Sequence, residues 1–399
     1  MKRQMKKGSD VKKKILVLAD NGIVHDSRIL RETSALVELG IDVKIIGIKE
    51  NALKKINQIP FEYKLIPIWS RRIFPKNYFG WCIKYVEVII KYCFYMLKEN
   101  PGVVHAHDLP CLLPAYMASK LRKFKIIYDS HELYTEQTPN NNFVTRIWRA
   151  LERYILPRIN AVIAANSSRA RIMLEEYGAR NLPVVVMNIP NKANISKSDL
   201  LQKYLAEMGI GQKKIVLYQG GISPERSLDI LISSVLEWEH DSVLILMGYG
   251  AEEEIANLKN IVRDMKLEDR VFFHPAVLSS DLLAYTASAD VGIVIYKNDC
   301  RNNYYCAPNK LFEYAAARVK VAACDFPDIR SIVDAFKIGT LFDPSNAHSI
   351  SQSVNIALDM SLPDENFARL LSEYNWSREK KKLLDVYHKL LERNECAVS

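Results

Sequence analysis

The sequence predicts an α/β protein of two domains, each built on a parallel sheet. The chain has 399 residues, more than one hydrophobic core ordinarily organises, so two domains are expected. Short apolar runs of strand length alternate with segments of helical periodicity in both halves. Polar or glycine-containing loops follow several of these runs, as expected where parallel strands present ligand groups at one edge of a sheet.

The first domain is predicted to span residues 14–190. It opens with the buried strand 14–19, the helix 27–39, which Gly40 ends, and the strand 41–48. These three elements form a right-handed crossover unit. Further strands are predicted at 103–106, 125–128, 161–165 and 183–188. Further helices are predicted at 85–98, 112–121, 146–157 and 167–177.

The second domain is predicted to span residues 191–375. The stretch 189–214 contains Pro, Asn and Ser and is interpreted as the linker, with a short helix at 200–208. Strands are predicted at 215–219, 242–247, 271–273, 291–296, 319–323 and 339–342. Helices are predicted at 228–238, 251–266, 281–289, 310–317 and 347–360, and a charged amphipathic helix at 378–393 lies within the C-terminal segment 376–399.

The positive charge of the chain is concentrated at its beginning. The net charge is +9, and residues 1–14 contribute seven Lys or Arg against one Asp. Residues 1–13 are therefore predicted to form a disordered basic tail that contacts anionic lipid, ahead of a near-neutral body. The body lacks the alternation of aromatic and basic residues that a nucleic-acid groove requires, so no nucleic-acid partner is expected.

Several features indicate a cytoplasmic protein. The first residues lack the apolar core of a signal peptide, and the longest apolar segment, 81–97, is interrupted by Lys84, Glu87 and Lys91. The seven cysteines include no C-x-x-C pair, which favours free thiols in a reducing compartment. The eight histidines show no metal-ligand spacing, so neither a metal nor a cofactor is predicted.

Residues 69–98 are rich in aromatic and basic side chains and allow two interpretations. One is peripheral contact with the inner face of a membrane. The other is an insertion that packs on its own domain. The side chains that suggest the membrane are Arg71, Arg72, Lys76, Tyr78, Phe79 and Trp81.

Polar groups follow three predicted strands of the first domain. The loop 20–26 is not a G-x-G-x-x-G fingerprint, and its end carries the polar residues His25, Asp26 and Arg28. Asp26 or Ser27 as a simple helix cap is the alternative. The predicted strands 103–106 and 125–128 end in the clusters 105–108 (HAHD) and 129–132 (DSHE). Because carboxyl ends of parallel strands share one edge, the two clusters predict a functional site there.

The second domain carries two candidate anion-binding loops. Gly220 and Gly221 allow close approach of the backbone to a ligand, and Arg226 follows just before a predicted helix. In the stretch 304–317, Asn309 and Lys310 stand at the start of another helix, with Glu313 one turn further on. A free helix N-terminus beside a lysine favours an anion. A capped core helix with solvated Lys and Glu is the alternative.

These motifs, taken together, resemble the GT-B glycosyltransferases of the family-4 type. The resemblance covers about residues 14 to 391 and rests on the two loops of the second domain and on six further segments. These are DSR at 26–28, HAHD at 105–108, YDSHEL at 128–133, CDFP at 324–327, DP at 343–344 and the tail from Tyr374. It implies two Rossmann-like domains with a central cleft, a C-terminal helix that returns to the first domain, and a retaining, metal-independent transferase that uses nucleotide sugars.

The resemblance also implies roles for individual residues. Arg226 and Lys310 would stabilise the donor diphosphate, Glu313 would bind the ribose, the loop 273–277 would face the nucleobase, and His107 would face the transferred sugar. The donor-binding residues are then Gly220, Gly221, Arg226, His274, Ala276, Tyr305, Asn309, Lys310, Leu311 and Glu313. The catalytic residues are His107, Arg226 and Lys310, and the acceptor-side residues are Asp26, Arg28, His131 and Glu132.

Three positions depart from the family pattern. Tyr305 replaces the first Glu of the E-x7-E motif, Gly221 replaces a second diphosphate-binding Arg, and Arg318 replaces the Gly that ends the glutamate helix.

The expected function is transfer of a sugar from a UDP- or GDP-sugar to a glycan or lipid-linked acceptor in cell-surface polysaccharide synthesis. A catalytically silent GT-B subunit and a nucleotide-sugar epimerase are the alternatives.

Overall fold

The computed structural model describes residues 14–23, 26–49, 60–74, 78–138, 142–190, 195–239, 241–306 and 309–392. These residues form two compact units. The first contains residues 14–135, 142–187 and 380–392, and the second contains residues 136–138 and 188–379. The change of unit after residue 187 falls within a few residues of the predicted boundary at 190.

The first unit is built on a seven-stranded parallel sheet in the order β3-β2-β1-β4-β5-β6-β7. Its strands are β1 (Ile15–Leu18), β2 (Val43–Ile48), β3 (Glu62–Ile66), β4 (Val103–His107), β5 (Lys125–Ser130), β6 (Ala161–Ala164) and β7 (Val184–Val185). Its helices are α1 (Ser27–Val37), α2 (Ser70–Ile73), α3 (Tyr78–Glu99), α4 (Asp108–Ser119), α5 (Phe143–Ile155) and α6 (Ser167–Glu175).

The centre of this sheet explains why its strands read as continuous apolar runs. All four residues of β1 are buried, and β1 pairs with β2 on one side and β4 on the other. A strand covered by helices on both faces buries every side chain, so period-two alternation is lost. The carboxyl ends of β4 and β5 carry polar side chains, since β4 ends at His107 and β5 ends at Ser130.

The second unit is built on a six-stranded parallel sheet in the order β10-β9-β8-β11-β12-β13. Its strands are β8 (Lys214–Ile222), β9 (Ser242–Gly250), β10 (Val271–Pro275), β11 (Val291–Val294), β12 (Lys320–Cys324) and β13 (Gly339–Phe342). Its helices are α7 (Leu200–Glu207), α8 (Leu228–Ser234), α9 (Glu252–Asp264), α10 (Leu282–Thr286), α11 (Arg301–Tyr304), α12 (Asn309–Ala316), α13 (Pro327–Phe336), α14 (Ala347–Asp359) and α15 (Asp364–Glu373).

Strands β8 and β9 each run three residues further than the sequence predicted, to Ile222 and Gly250. Gly220 and Gly221 were expected in a loop after residue 219, yet β8 continues to Ile222 and stays paired with β9. Gly220 lies opposite Gly248, where an added Cβ would approach the Gly220 carbonyl oxygen to 1.8 Å. The glycines on both strands therefore permit an extension that side chains would block.

The C-terminal helix α16 (Trp376–Glu392) returns to the first unit, as the resemblance implied. Its residues from Lys380 onward belong to that unit. Lys380 pairs with Glu38, and Lys125 of β5 donates to the carbonyl of Leu390. Its buried face includes Leu383 and Tyr387, the amphipathic pattern read from the sequence.

Several elements were not predicted, and others differ in length. The unpredicted elements are β3, α2, α11, α13 and α15. The predicted helix 112–121 begins earlier, at Asp108, because Pro110 is accommodated in its first turn. The predicted strand 183–188 is reduced to Val184–Val185. Within the described residues, no helix is both long enough and apolar enough to span a bilayer.

Candidate active-site residues of the two units

In the first unit, a buried ion pair joins α1 to β5. Arg28 Nε and Nη2 donate to Asp129 Oδ2 at 2.9 Å and Oδ1 at 2.7 Å, and Arg28 Nη1 donates to the Val186 carbonyl at 2.7 Å. Both side chains are buried, so this is a bidentate pair shielded from water. Arg28 was predicted on the acceptor side, but its guanidinium is committed to Asp129 and Val186. We therefore regard it as a support for the neighbouring side chains.

Two histidines at adjacent strand ends form a hydrogen-bonded pair. His107 Nδ1 lies 2.8 Å from His131 Nε2. Burial alone would lower the pKa of His131, but the carboxylates of Asp108 and Asp129 outweigh it and raise this pKa to about 9. Burial lowers the pKa of His107 to about 3. His131 is therefore an imidazolium at neutral pH and donates to a neutral His107, which leaves the His107 proton on Nε2.

Behind this pair lies a second layer of buried groups. His105 Nε2 is 3.7 Å from Asp129 Oδ2 and 3.9 Å from Glu32 Oε2. Burial, reinforced by the charge of Asp129, raises the pKa of Glu32 to about 8. Glu32 is therefore largely protonated at neutral pH, and Asp129 carries the negative charge of the layer.

This layer contains the described group of side chains best placed to hold a metal. Ligand atoms of Glu32, His105, His107 and Asp129 lie within 4.8 Å of one another. The guanidinium of Arg28, however, lies 3.1 Å from Glu32 and binds both oxygens of Asp129. A protein cation thus already neutralises Asp129, and Glu32 is largely protonated, so the arrangement fits an arginine-centred cluster better than a metal site.

The two remaining first-unit candidates lie at the rim of the cluster. Asp26 caps α1, because its side chain accepts from the backbone N–H groups of Arg28 and Ile29. This agrees with the alternative interpretation of Asp26 as a helix cap. Glu132 is exposed beside His131. His25 lies outside the described residues.

In the second unit, Lys310 occupies an aromatic cradle in the first turn of α12. Its Nζ donates to the Tyr218 hydroxyl at 3.1 Å and lies 4.2 Å from the centre of the Tyr218 ring and 5.4 Å from that of Tyr296. Burial and the nearby charge of Arg226 lower the pKa of Lys310 to about 7. Among the described residues, no carboxylate forms an ion pair with this ammonium.

Arg226 belongs to the same cluster. It ends a short 3₁₀ helix after β8, and its guanidinium lies 4.3 Å from the centre of the Tyr296 ring. The next residue, Ser227, has a left-handed backbone with φ 47°. The chain thus turns sharply into α8, and Arg226 and Lys310 both lie over the ring of Tyr296. These cations lie beyond the carboxyl ends of β8 and β11, the edge where α/β sheets bind ligands.

Glu313 is held by a chain of side chains. Gln219 Nε2 donates to Glu313 Oε2 at 2.6 Å, and Gln219 Oε1 accepts from the Thr286 hydroxyl at 2.7 Å. Gln219 is buried at the end of the apolar part of β8. The carboxylate of Glu313 is therefore fixed in orientation, as a group that accepts hydrogen bonds from hydroxyls must be.

The two glycines of the predicted diphosphate loop differ in what surrounds them. Gly220 has φ +126°, and a Cβ there would come within 2.8 Å of Lys310 Cε. Gly221 has no heavy atom within 4 Å of the position of an added Cβ. Gly220 thus has a backbone conformation that favours glycine beside the Lys310 side chain, whereas Gly221 leaves open space where the resemblance implies an arginine.

The other donor-side candidates are distributed around this cluster. His274 forms an aromatic group with Tyr204 and Tyr285, at ring-centre distances of 4.7 and 5.2 Å. Ala276 is exposed in the loop that follows, and Leu311 is fully buried. Asn309 is the first residue of α12, and Pro308 lies outside the described residues.

Tyr305 does not reproduce the missing glutamate. It follows the short helix α11, and its ring packs edge-to-face against Tyr304 at 5.0 Å. Tyr304 in turn packs against Phe326 at 5.3 Å. The position thus carries a partly buried aromatic ring where the family pattern has a carboxylate. Arg318 adopts φ 56°, the left-handed conformation for which the family pattern supplies glycine.

Sequence reasoning placed His105 and Asp129 in the predicted strand-end clusters without an individual role, and it missed the other residues that complete both clusters. These are Glu32, Tyr218, Gln219, Tyr296 and Tyr387. Their shared signal is position, because most stand at or next to the carboxyl end of a predicted strand. Tyr387 gave no such signal, since it lies on an amphipathic helix far along the chain.

Comparison with known proteins finds a glycosyltransferase family in each half of the chain. The family model described as Glycosyltransferase Family 4 matches residues 27–191. The model described as Glycosyl transferases group 1 matches residues 213–359. The two matches follow each other along the chain, one in each half. The chain belongs to the family-4-type glycosyltransferases.

Solved structures show that this glycosyltransferase has the GT-B fold. Sucrose-phosphate synthase from Thermosynechococcus elongatus matches with a TM-score of 0.76 at 16% identity, over 95% of this chain and 99% of that one. HepE from Anabaena, crystallised with UDP and glucose, matches with a TM-score of 0.73 at 15% identity, over 94% of this chain and 99% of that one. A glycosyltransferase from Rickettsia africae matches with a TM-score of 0.72 at 16% identity, over 95% and 98%. No curated protein sequence matches significantly.

Proposed function

We propose that this glycosyltransferase is a retaining, metal-independent enzyme. It transfers a hexosyl or related sugar from a UDP- or GDP-sugar to a glycan or lipid-linked acceptor in cell-surface polysaccharide synthesis. The observation that carries the proposal is the buried Lys310, an ammonium without a carboxylate partner among the described residues, beside Arg226. A nucleoside diphosphate supplies the missing negative charge.

The proposal assigns a role to each donor-side group. The departing diphosphate gains charge as the bond from the sugar C1 to the phosphate oxygen breaks. Lys310, Arg226 and the backbone N–H groups of the first turn of α12 stabilise that charge. Glu313, oriented by Gln219, accepts hydrogen bonds from the ribose hydroxyls. The loop 273–277, with His274, lies beside the nucleobase.

In the proposed reaction, the acceptor hydroxyl attacks C1 from the face that the diphosphate leaves. Its proton passes to the departing phosphate oxygen, so no protein base and no covalent glycosyl-enzyme are required. His107 is suited to contact the transferred sugar, because it is neutral and its remaining proton is on Nε2, from which it donates to a sugar oxygen. The imidazolium of His131 holds it in that tautomer, and the exposed Glu132 is placed to contact the acceptor.

The experiment is a thermal-shift and turnover panel with UDP-, GDP- and ADP-sugars, followed by NMR analysis of the product anomer. The proposal predicts stabilisation by one nucleotide class and retention of the anomeric configuration. It also predicts that activity survives chelation of divalent ions. An inverted product would refute retention, and loss of activity on chelation would refute metal independence. Nucleotide binding with no turnover across donors and acceptors would favour the silent-subunit alternative.

The first unit also carries a surface suited to a lipid-linked acceptor. Val86, Ile90 and Phe94 project from one stripe of α3 and are all exposed. Lys14, the first described residue, pairs with Glu99 of this helix at 2.6 Å, and the basic residues 1–13 precede it in the sequence. An apolar stripe in a chain with a basic N-terminal sequence fits the surface of an anionic membrane. The side chains at 71, 72, 76, 78, 79 and 81, which suggested membrane contact from the sequence, lie outside those that the structure describes.

Sedimentation with vesicles tests this contact. The native chain is expected to bind vesicles that contain phosphatidylglycerol, more weakly at high salt, and to ignore vesicles of phosphatidylcholine alone. Ile90→Ser is expected to reduce binding. Ile356→Ser is the matched control, because Ile356 is 56% exposed on the second unit and Ile90 is 63% exposed. Equal binding by both variants would refute the role of the α3 stripe.

A further inference from the structure

The C-terminal helix reaches the histidine cluster of the first unit through one hydrogen bond. The hydroxyl of Tyr387, on α16, lies 2.6 Å from Nδ1 of His105, on β4. Both side chains are buried, with 1% of each exposed. The two rings meet edge-to-face at 5.9 Å. This contact joins residues that are 282 positions apart in the chain.

The direction of this hydrogen bond follows from what surrounds His105. Its other nitrogen, Nε2, faces the carboxyl groups of Glu32 and Asp129 at 3.9 and 3.7 Å. A lone pair on Nε2 would face the negative charge of Asp129, so the proton of the neutral ring belongs there. Nδ1 is then the acceptor, and the Tyr387 hydroxyl donates to it.

His105 in turn supports the histidine that the proposed function places at the reacting sugar. The rings of His105 and His107 stack with centres 4.3 Å apart and planes inclined by 24°. Asp129, which faces His105 Nε2, also lies 3.4 Å from His107 Nδ1 and 3.4 Å from His131 Nε2. Asp129 also contacts the charged side chain of Arg28, which donates to both of its carboxylate oxygens.

We propose that Tyr387 is a positioning residue for His107. Its hydroxyl fixes the orientation and tautomer of His105, whose ring supports His107 and whose N–H faces the Asp129 carboxylate that orders His131. The C-terminal helix thereby orients the acceptor-side histidines, in addition to packing on the first unit. This inference rests on the proposed function, because it takes His107 to contact the sugar.

Tyr387→Phe removes the hydroxyl and keeps the ring that packs on the unit. We expect kcat to fall about tenfold while KM for the nucleotide sugar stays within about twofold, because the donor contacts lie in the second unit. Lys380→Gln is the control, since it breaks a surface ion pair of the same helix with Glu38 and leaves Tyr387 in place. The control is expected to keep the native kcat. An unchanged kcat in Tyr387→Phe, or an equal loss in both variants, would overturn the proposal.

A double-mutant cycle and NMR provide readouts that a purely structural role would not move. Tyr387→Phe is expected to have no further effect on kcat when His105→Phe is already present, so additive losses count against the proposal. In the native chain, ¹⁵N spectra are expected to show His105 with its proton on Nε2. The shifts of His107 and His131 should change in Tyr387→Phe and remain native in Lys380→Gln.

The spectra also separate this inference from the proposed function. They require no substrate, so they decide the contact even if no sugar transfer is found. A native His105 protonated on Nδ1, or His107 and His131 shifts unaltered by Tyr387→Phe, would overturn the positioning role. Absent turnover in a native chain with the predicted shifts would overturn the proposed function alone.

Discussion

Replacing Lys310 with Met is expected to weaken nucleoside diphosphate binding and to stabilise the unliganded protein. Both effects follow from the position of the ammonium, which is buried against Tyr218 and Tyr296 and has a pKa of about 7. Met is similar in length and apolar, so it can fill the aromatic cradle without the charge. The substitution thus removes the interaction proposed for the diphosphate and the desolvation penalty together.

The effect on binding can be estimated from one charge-assisted contact. A hydrogen bond between an ammonium and a phosphate oxygen contributes about 1.5–3 kcal/mol, which corresponds to roughly 10- to 100-fold in Kd. Below pH 7, Lys310 of the free protein is already protonated and the full effect is expected. Above pH 7, binding must first protonate the amine, so the ratio of the Kd values of variant and native protein falls about tenfold per pH unit.

The effect on stability has the opposite sign. The folded-state pKa of Lys310, about 7, lies below the ordinary lysine value of 10.5. Between these pH values the unfolded chain binds more protons than the folded chain, so native stability rises with pH across this window. Met removes this dependence. The variant is therefore expected to gain on the order of a few kcal/mol below pH 7, and progressively less as the pH rises.

Calorimetric titration with a nucleoside diphosphate and with its parent nucleoside is the assay. The affinity for the nucleoside should not change, because it has no phosphate. Lys297→Met is the control variant, since Lys297 is a lysine of the same unit whose side chain is 53% exposed. An unchanged ratio of diphosphate to nucleoside affinity in Lys310→Met would refute the proposed role. Unfolding by denaturant at several pH values tests the stability effect.

Four further substitutions have defined outcomes. Gly221→Arg is expected to tighten diphosphate binding about fivefold, because nothing lies within 4 Å of an added Cβ; looser binding in titration would contradict this. Gly220→Ala should destabilise by more than about 1 kcal/mol in urea unfolding, because of its φ of +126° and its approach to Lys310. Arg318→Gly should stabilise by about 0.5–1 kcal/mol, because it relieves the left-handed φ of 56°. Arg28→Lys should destabilise by about 3 kcal/mol, because it breaks a buried bidentate pair; a loss below about 1 kcal/mol would refute that assignment.

The sheets were predictable because their central strands bury both faces. In a chain of this composition, short apolar runs such as those of β1 and β8 indicate buried strands. β3 was missed because Glu62–Ile66 is an edge strand with mixed exposure and no apolar run. The short helix α11, at Arg301–Tyr304, was missed because a single polar turn has no periodicity to detect.

The site was predictable only where its signal is local. Lys310 and Glu313 could be assigned because a helix N-terminus after a strand is readable within a few residues. The cradle of Lys310 was not readable, since Tyr218 is 92 positions away and supplies a contact that no local pattern encodes. Likewise, the ion pair of Arg28 could not be predicted, because its partner, Asp129, lies 101 positions further on. Arg28 was therefore interpreted as a ligand group. Pairing between strand ends depends on the order of strands in the sheet, which the sequence does not state.

The two units differ in how they compensate buried charge, and this difference locates the pH dependence of the enzyme. In the first unit, Asp129 keeps a pKa well below its ordinary value, since Arg28 and His131 outweigh its burial. His131, with a pKa of about 9, keeps its charge through neutrality. In the second unit, the pKa of Lys310 is about 7, so its charge depends on whether an anion is bound. A change in kcat/KM centred near pH 7 is therefore expected to originate in Lys310, and the profile measured on Lys310→Met should lack that change.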